Sequence, residues 1–202
     1  VNYSSISRCV NHNSGSMYNF RLYYGATYCI SVNVSMNKCQ YYSGTRCVPT
    51  SDSNSITCLF SYCSFTDNNS PGYTCIVQDN SAAKAEMKCC NILRNTQGST
   101  SEATLYFYGH TTIKDSCILM NNATYTFYTS SSYVITVSNC TVDSTSHRNS
   151  LILTNTVTKS FIHALGHIST QNCPSEYDSA GTLTAIIPKN YIYITIIYTC
   201  KL

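Results

Sequence analysis

Charge is scarce in this 202-residue chain. Lys and Arg total 12 and Asp and Glu total 9, so only 10% of residues are charged and the formal net charge is +3. That excess is small and unclustered, which excludes the basic stripe of a nucleic-acid-binding protein. No five like charges run together, so acidic and basic tails are excluded too. Tryptophan is absent, and 4 Pro and 8 Gly are too few for a collagen-like or Pro/Gly-rich disordered chain. No apolar run approaches the roughly 20 residues that a membrane-spanning helix needs. The run YIYITIIYT at 191–199 is far shorter, and its β-branched and aromatic residues read as a strand. The N-terminal VNYSSISRCV is polar and lacks the apolar stretch of a signal peptide.

Ser, Thr, Asn and Tyr fill the polar positions. Thr and Tyr favour strands, and Asn and Ser favour turns. The chain also holds 13 cysteines, a density that points to an oxidising compartment. An odd count leaves at least one thiol outside any internal disulfide. Five Asn-x-Ser/Thr sequons, at Asn2, Asn33, Asn68, Asn122 and Asn139, are candidate glycosylation sites and fit an extracellular or cell-surface protein.

One pattern recurs. CSFTDNN (63–69), CNILRNT (90–96) and CILMNNA (117–123) share a Cys, an apolar residue two places on and an Asn five places on. Taking Cys39, Cys63, Cys90, Cys117 and Cys140 as anchors, the spacings are 24, 27, 27 and 23 residues. A period in the twenties signals a stacked-coil protein. Short alternating runs precede the anchors, as in ITCLFSYC, AEMKCC and YVITVSNC, and further strand-like pieces such as ATLYFYG and YTFYT follow. Two or three short strands per unit predict an all-β chain, a right-handed parallel β-helix of about six irregular coils. Residues 1–156 are expected to form the coils. Residues 157–202, where VTKSFIHALGHIS is more helical in character, are expected to form a C-terminal coil or cap, which shields the open end of a solenoid.

The repeated side chains have structural readings. Asn tolerates a left-handed bend and can bond its counterpart one coil away, so Asn68, Asn95 and Asn122 are expected to form a ladder. The anchor cysteines share an inner face with the apolar residue two places on. They are read either as small buried thiols or as partners in disulfides with Cys29, Cys47, Cys58, Cys75 or Cys89.

Catalytic chemistry is poorly represented. The nine carboxylates are scattered, with no Asp-x-Asp pair, whereas glycoside hydrolysis needs two that are ~5–10 Å apart. Glu176 and Asp178 share a loop and read as solvated. His163 and His167 sit four apart, but the intervening sequence is HALGH and not HExxH, so no zinc site follows. No catalytic residue, metal or cofactor is expected. The aromatic pieces are more suggestive: Tyr106, Tyr108, Tyr125 and Phe127 are candidates for an exposed stripe that stacks on sugar rings or docks a protein.

The segment KSFIHALGHISTQNCPSEYDSAGTLT (159–184), with SYCSFTDN, CCNILRN and SNCTVDS before it, resembles a family of uncharacterised proteins of parasitic trichomonads. The resemblance implies a right-handed β-helix ectodomain with a membrane anchor in the full-length protein, outside this chain. It implies no activity. The expected function is adhesion, with host or matrix glycans or proteins as partners and no nucleic acid. Two alternatives remain open at this point: a β-helix polysaccharide lyase or glycoside hydrolase, and a structural protein that self-associates head to tail through its strand edges.

Overall fold

The computed structural model describes residues 2–10, 20–23, 25–39, 44–71, 75–98, 103–130, 132–158, 175–177 and 183–185. Strands follow one another around successive coils. After β1 (Ser5–Ser7), one coil holds β2 (Phe20–Tyr23), β3 (Thr27–Ile30) and β4 (Asn33–Ser35). The next holds β5 (Thr45–Val48), β6 (Asp52–Ser61), β7 (Ser64–Thr66) and the short β8 (Asn69–Ser70). Then come β9 (Ile76–Gln78), β10 (Ala83–Lys88), β11 (Asn91–Leu93) and β12 (Thr96–Gln97). The fifth set is β13 (Ala103–Phe107), β14 (Thr111–Lys114) and β15 (Cys117–Leu119), followed by β16 (Tyr125–Thr129), β17 (Val134–Ser138) and β18 (Thr141–Val142). The last is β19 (His147–Arg148), β20 (Ser150–Thr154) and β21 (Val157–Thr158), with β22 (Ser175–Tyr177) and β23 (Leu183–Ala185) forming a separate antiparallel pair.

Each coil contributes one strand to each of three parallel sheets. Sheet I is β2-β5-β9-β13-β16-β19, sheet II is β3-β6-β10-β14-β17-β20, and sheet III is β1-β4-β7-β11-β15-β18-β21. The chain is therefore a parallel β-helix. Strand β21 still pairs with β18, so coil structure runs past residue 156. Of VTKSFIHALGHIS (157–169), expected to be more helical in character, Val157–Thr158 form strand β21 and 159–169 fall outside the described residues.

The core is built from stacked columns. In sheet III, Val34, Phe65, Ile92, Ile118 and Val142 lie in register and are buried. In sheet II, Cys29, Phe60, Met87, Ile113 and Val137 do the same. Burying each large side chain stabilises by about 1.5–3 kcal/mol.

Two columns of left-handed residues make the bends. Ser31, Tyr62, Cys89, Asp115, Asn139 and Asn155 have φ between 48° and 57° and precede sheet III strands or the equivalent turn. Arg8, Met36, Asp67, Arg94 and Met120 have φ between 54° and 58° and follow them. Each such conformation costs a non-glycine residue about 1–2 kcal/mol. Stacking offsets that cost, because the bend amides bond the next coil: Tyr62 N–H donates to Lys88 O at 3.0 Å and Asp67 N–H to Leu93 O at 3.0 Å.

The residue after the first bend explains the recurrent cysteine. Cys63 Sγ donates to Ser61 O (3.4 Å) and Cys29 O (3.3 Å), and Cys90 Sγ to Lys88 O (3.3 Å) and Phe60 O (3.5 Å). Cys140 Sγ donates to Ser138 O at 3.1 Å. Ser116 and Thr156 make the same bond to the carbonyl two residues back, at 2.7 and 3.1 Å. The column is thus a set of small donors closing a bend. This corrects two expected members. Cys117 pairs with Asn91, so Ser116 stacks on Cys90 and Cys117 lies one place on. Cys117 packs instead with Leu93 and Leu119 in a cluster apart from the main core. Cys39 lies beyond the second bend, its amide bonding Asn69 O at 3.1 Å, and Val32 occupies the column in that coil.

The asparagine ladder is Asn37, Asn68, Asn95 and Asn121. Asn37 Nδ2 donates to Asn68 Oδ1 (3.0 Å), Asn68 Nδ2 to Asn95 Oδ1 (3.0 Å), and Asn95 Nδ2 to Asn121 Oδ1 (2.9 Å). Each Nδ2 also bonds a carbonyl of the coil before, as Asn68 does with Val34 O at 2.9 Å. Asn122 is a correction. It is exposed, and it offers only its backbone to Asn95 and Gln97. The coil from Cys90 to Ser116 is one residue shorter than the anchors suggest, which moves the ladder position from 122 to 121.

Coils approach closely at Gly44. A Cβ there would sit 2.0 Å from the backbone oxygen of Cys75. Gly44→Ala is therefore expected to cost roughly 2–3 kcal/mol through a forced backbone shift, seen as a lower Tm. An unchanged Tm would mean that these two coils separate freely.

Candidate functional site: an aromatic face on sheet I

Alternation along sheet I decides which aromatic residues reach solvent. Leu105 and Phe127 pair in register and point inward, and both are fully buried. Phe127 is therefore a core residue and is removed from the expected stripe. Tyr128, one residue on, takes its place.

Tyr106 and Tyr128 occupy one outward column, with ring centroids 4.7 Å apart and planes at 79°. Tyr108 lies 5.8 Å from Tyr106, and Tyr125 lies 6.4 Å from Tyr128. Tyr108 is exposed, and Tyr106, Tyr125 and Tyr128 are half-buried. The Arg148 guanidinium carbon stands 4.9 Å from the Tyr128 centroid, from the neighbouring strand β19. Edge-to-face pairs contribute about 0.5–1.5 kcal/mol each beyond burial, and an exposed cation–π contact about 0.5–1 kcal/mol. The rings are thus ordered before any ligand arrives. Tyr108 is fixed from below: buried Gln78 Oε1 accepts its N–H at 2.9 Å. On the other side the column continues through Val77 to Arg46, which is ion-paired with Asp79. Tyr128 could have been found from the alternation of TYTFYT. Arg148 could not, because it arrives from another coil.

The described carboxylates are already engaged. Asp67 receives Arg94 through two bonds of 2.8 Å, and Glu86 receives Lys114 at 3.1 Å. Asp143 accepts the Met120 amide. Hydrogen bonds from Ser55 and Asn54 hold Asp52 below the usual carboxylate range. Among the described residues no group of three or more His, Cys, Asp or Glu could hold a metal ion. His163, His167 and Asp178 lie outside the described residues, as does the side chain of Glu176. No described helix is long and apolar enough to cross a membrane.

The cysteines resolve toward the thiol reading. Cys29, Cys47, Cys58, Cys63, Cys90, Cys117 and Cys140 are buried thiols, while Cys89 is disulfide-bonded. Burial pushes the Cys117 and Cys140 thiols up to about 12. It raises Cys29, Cys47 and Cys90 strongly as well, with neighbouring thiols adding to the effect.

Four sequon asparagines, Asn2, Asn33, Asn122 and Asn139, are exposed. Asn33 lies on β4 of sheet III, Asn139 at the bend before β18, Asn2 beside β3 of sheet II and Asn122 beside β12, and none is on a sheet I strand. Asn68 is 0% exposed and bonded on both sides of the ladder, so it has no room for a glycan. The chain matches no protein-family model, no curated protein and no solved structure. The functional case rests on its own residues.

Proposed function

We propose that this chain is a non-enzymatic extracellular or cell-surface protein that docks a glycan on its sheet I tyrosine face. The carrying observation is the ordered, solvent-accessible cluster of Tyr106, Tyr108, Tyr125 and Tyr128 beside Arg148. Tyrosine offers an apolar ring to a sugar face and a hydroxyl to its rim. A flat, repeated face suits a chain ligand. The extracellular reading is supported by the four exposed sequons, since the buried thiols require no oxidising compartment. The β-helix lyase or hydrolase is the weaker reading, because the described carboxylates are committed to ion pairs and turns.

Binding to a panel of immobilised oligosaccharides tests this. The wild-type chain is expected to retain a subset, and Tyr106→Ala with Tyr128→Ala is expected to weaken that binding tenfold or more while the chain stays folded, with a Tm lowered by the lost ring contacts. Equal binding by wild type and the double variant would move the site elsewhere. Capture of proteins with no saccharide binding would replace the glycan with a protein partner.

A further inference from the structure

We infer that the sheet I face selects an acidic saccharide, one bearing a carboxylate or a sulfate ester, with the anionic group seated on Arg148. This rests on the glycan-docking reading and names the ligand class. The ion pairs of the described coils make the case. Arg46, Arg94 and Lys114 each face a carboxylate from a neighbouring coil. Arg148 is exposed and has no carboxylate partner among the described residues; its contact is the Tyr128 ring. On the other side of the rings, Asp79 pairs with Arg46, and the column runs on in register to position 21 on β2. Beside the aromatic rings, the column therefore carries at Arg148 a positive charge that no described carboxylate faces.

Spacing suits the assignment. Tyr106, Tyr128 and Arg148 occupy the same column on three successive coils. Two coil steps span about 10 Å, comparable to a disaccharide. Sugar rings would lie along Tyr106 and Tyr128, and the acidic substituent would meet the guanidinium, whose fork matches carboxylate and sulfate oxygens two at a time. Contact with Tyr128 restricts the guanidinium in advance, so less freedom is lost on binding. A neutral chain would gain the stacking and miss the charged contact.

The test uses the full chain in calorimetric titrations with three probes of equal length: a uronic-acid oligomer, a sulfated oligomer on a neutral backbone, and that neutral backbone alone. At low salt at least one acidic probe is expected to bind about tenfold more tightly than the neutral one, with the advantage shrinking as salt rises. Comparing the two acidic probes tells carboxylate from sulfate. Arg148→Gln is expected to erase the acidic advantage and keep the neutral affinity. Lys38→Gln, which removes the same charge away from sheet I, is expected to keep both. Equal binding of all three probes, or an acidic preference that survives Arg148→Gln, would overturn the selectivity while leaving glycan docking intact. Failure of every probe would overturn the docking reading and the selectivity together.

Discussion

Asn68→Ala is expected to cost about 3–5 kcal/mol, most of the stability of a marginal domain. Asn68 is fully buried, and its side chain serves four groups, Asn95 Oδ1 among them at 3.0 Å. Its Oδ1 accepts the Asn37 amide at 3.2 Å and Asn37 Nδ2 at 3.0 Å, and its Nδ2 serves Val34 O at 2.9 Å. Truncation leaves an amide and a carbonyl in the core without partners, at about 1–3 kcal/mol each, and opens a cavity between coils. The measurement is urea unfolding at constant m. A companion pair tests the register. Asn121→Ala is expected to destabilise by about 2 kcal/mol or more, because Asn121 Oδ1 accepts two bonds from Asn95. Asn122→Ala is expected to stay within about 0.5 kcal/mol, as an exposed residue does. The reverse order would show that the ladder continues through 122.

That pair also marks how far the sequence could be read. The coil period, the inward apolar residue two places after each anchor and the existence of an asparagine ladder were legible, because each repeats at a fixed offset. The register of one coil was not. CILMNN offers Asn121 and Asn122 side by side, and Cys117 sits beside Ser116. Counting from the cysteine selects the wrong member of both pairs. The deciding physics is hydrogen bonding at the bend, where a serine hydroxyl replaces a thiol at 2.7 Å from the carbonyl two residues back. Residue identity concealed that equivalence. In the same way Phe127 looked like part of an exposed stripe until its pairing with Leu105 fixed its parity. The Arg148 contact needed the coil-to-coil register, which no local pattern carries.

The fold is expected to lose stability steeply above about pH 8.5. The cause is the buried thiols whose ionisation burial opposes; Cys63, lowered by its hydrogen bond with Cys90, offsets a part of it. In the unfolded chain a cysteine ionises near ~8.5. In the fold, burial holds Cys117 and Cys140 up to about 12 and raises Cys29, Cys47 and Cys90 strongly. Between those limits the unfolded state binds fewer protons than the folded one, so stability falls as pH rises. Below ~8.5 both states hold the proton and the contribution is complete. Each thiol removes about 1.4 kcal/mol per pH unit across its window, so Cys117 and Cys140 together remove about 3 kcal/mol per unit. A domain stable by about 5–15 kcal/mol cannot withstand this for many units. Urea midpoints measured from pH 7 to 10.5 with reductant present should show the fall beginning near 8.5. Cys140→Ser with Cys117→Ala should flatten the slope by about 3 kcal/mol per pH unit, because neither replacement ionises there and Ser116 already fills the bend position in an adjacent coil. The buried-thiol account fails if the midpoint is constant to pH 10, or if the double variant falls as steeply as the parent.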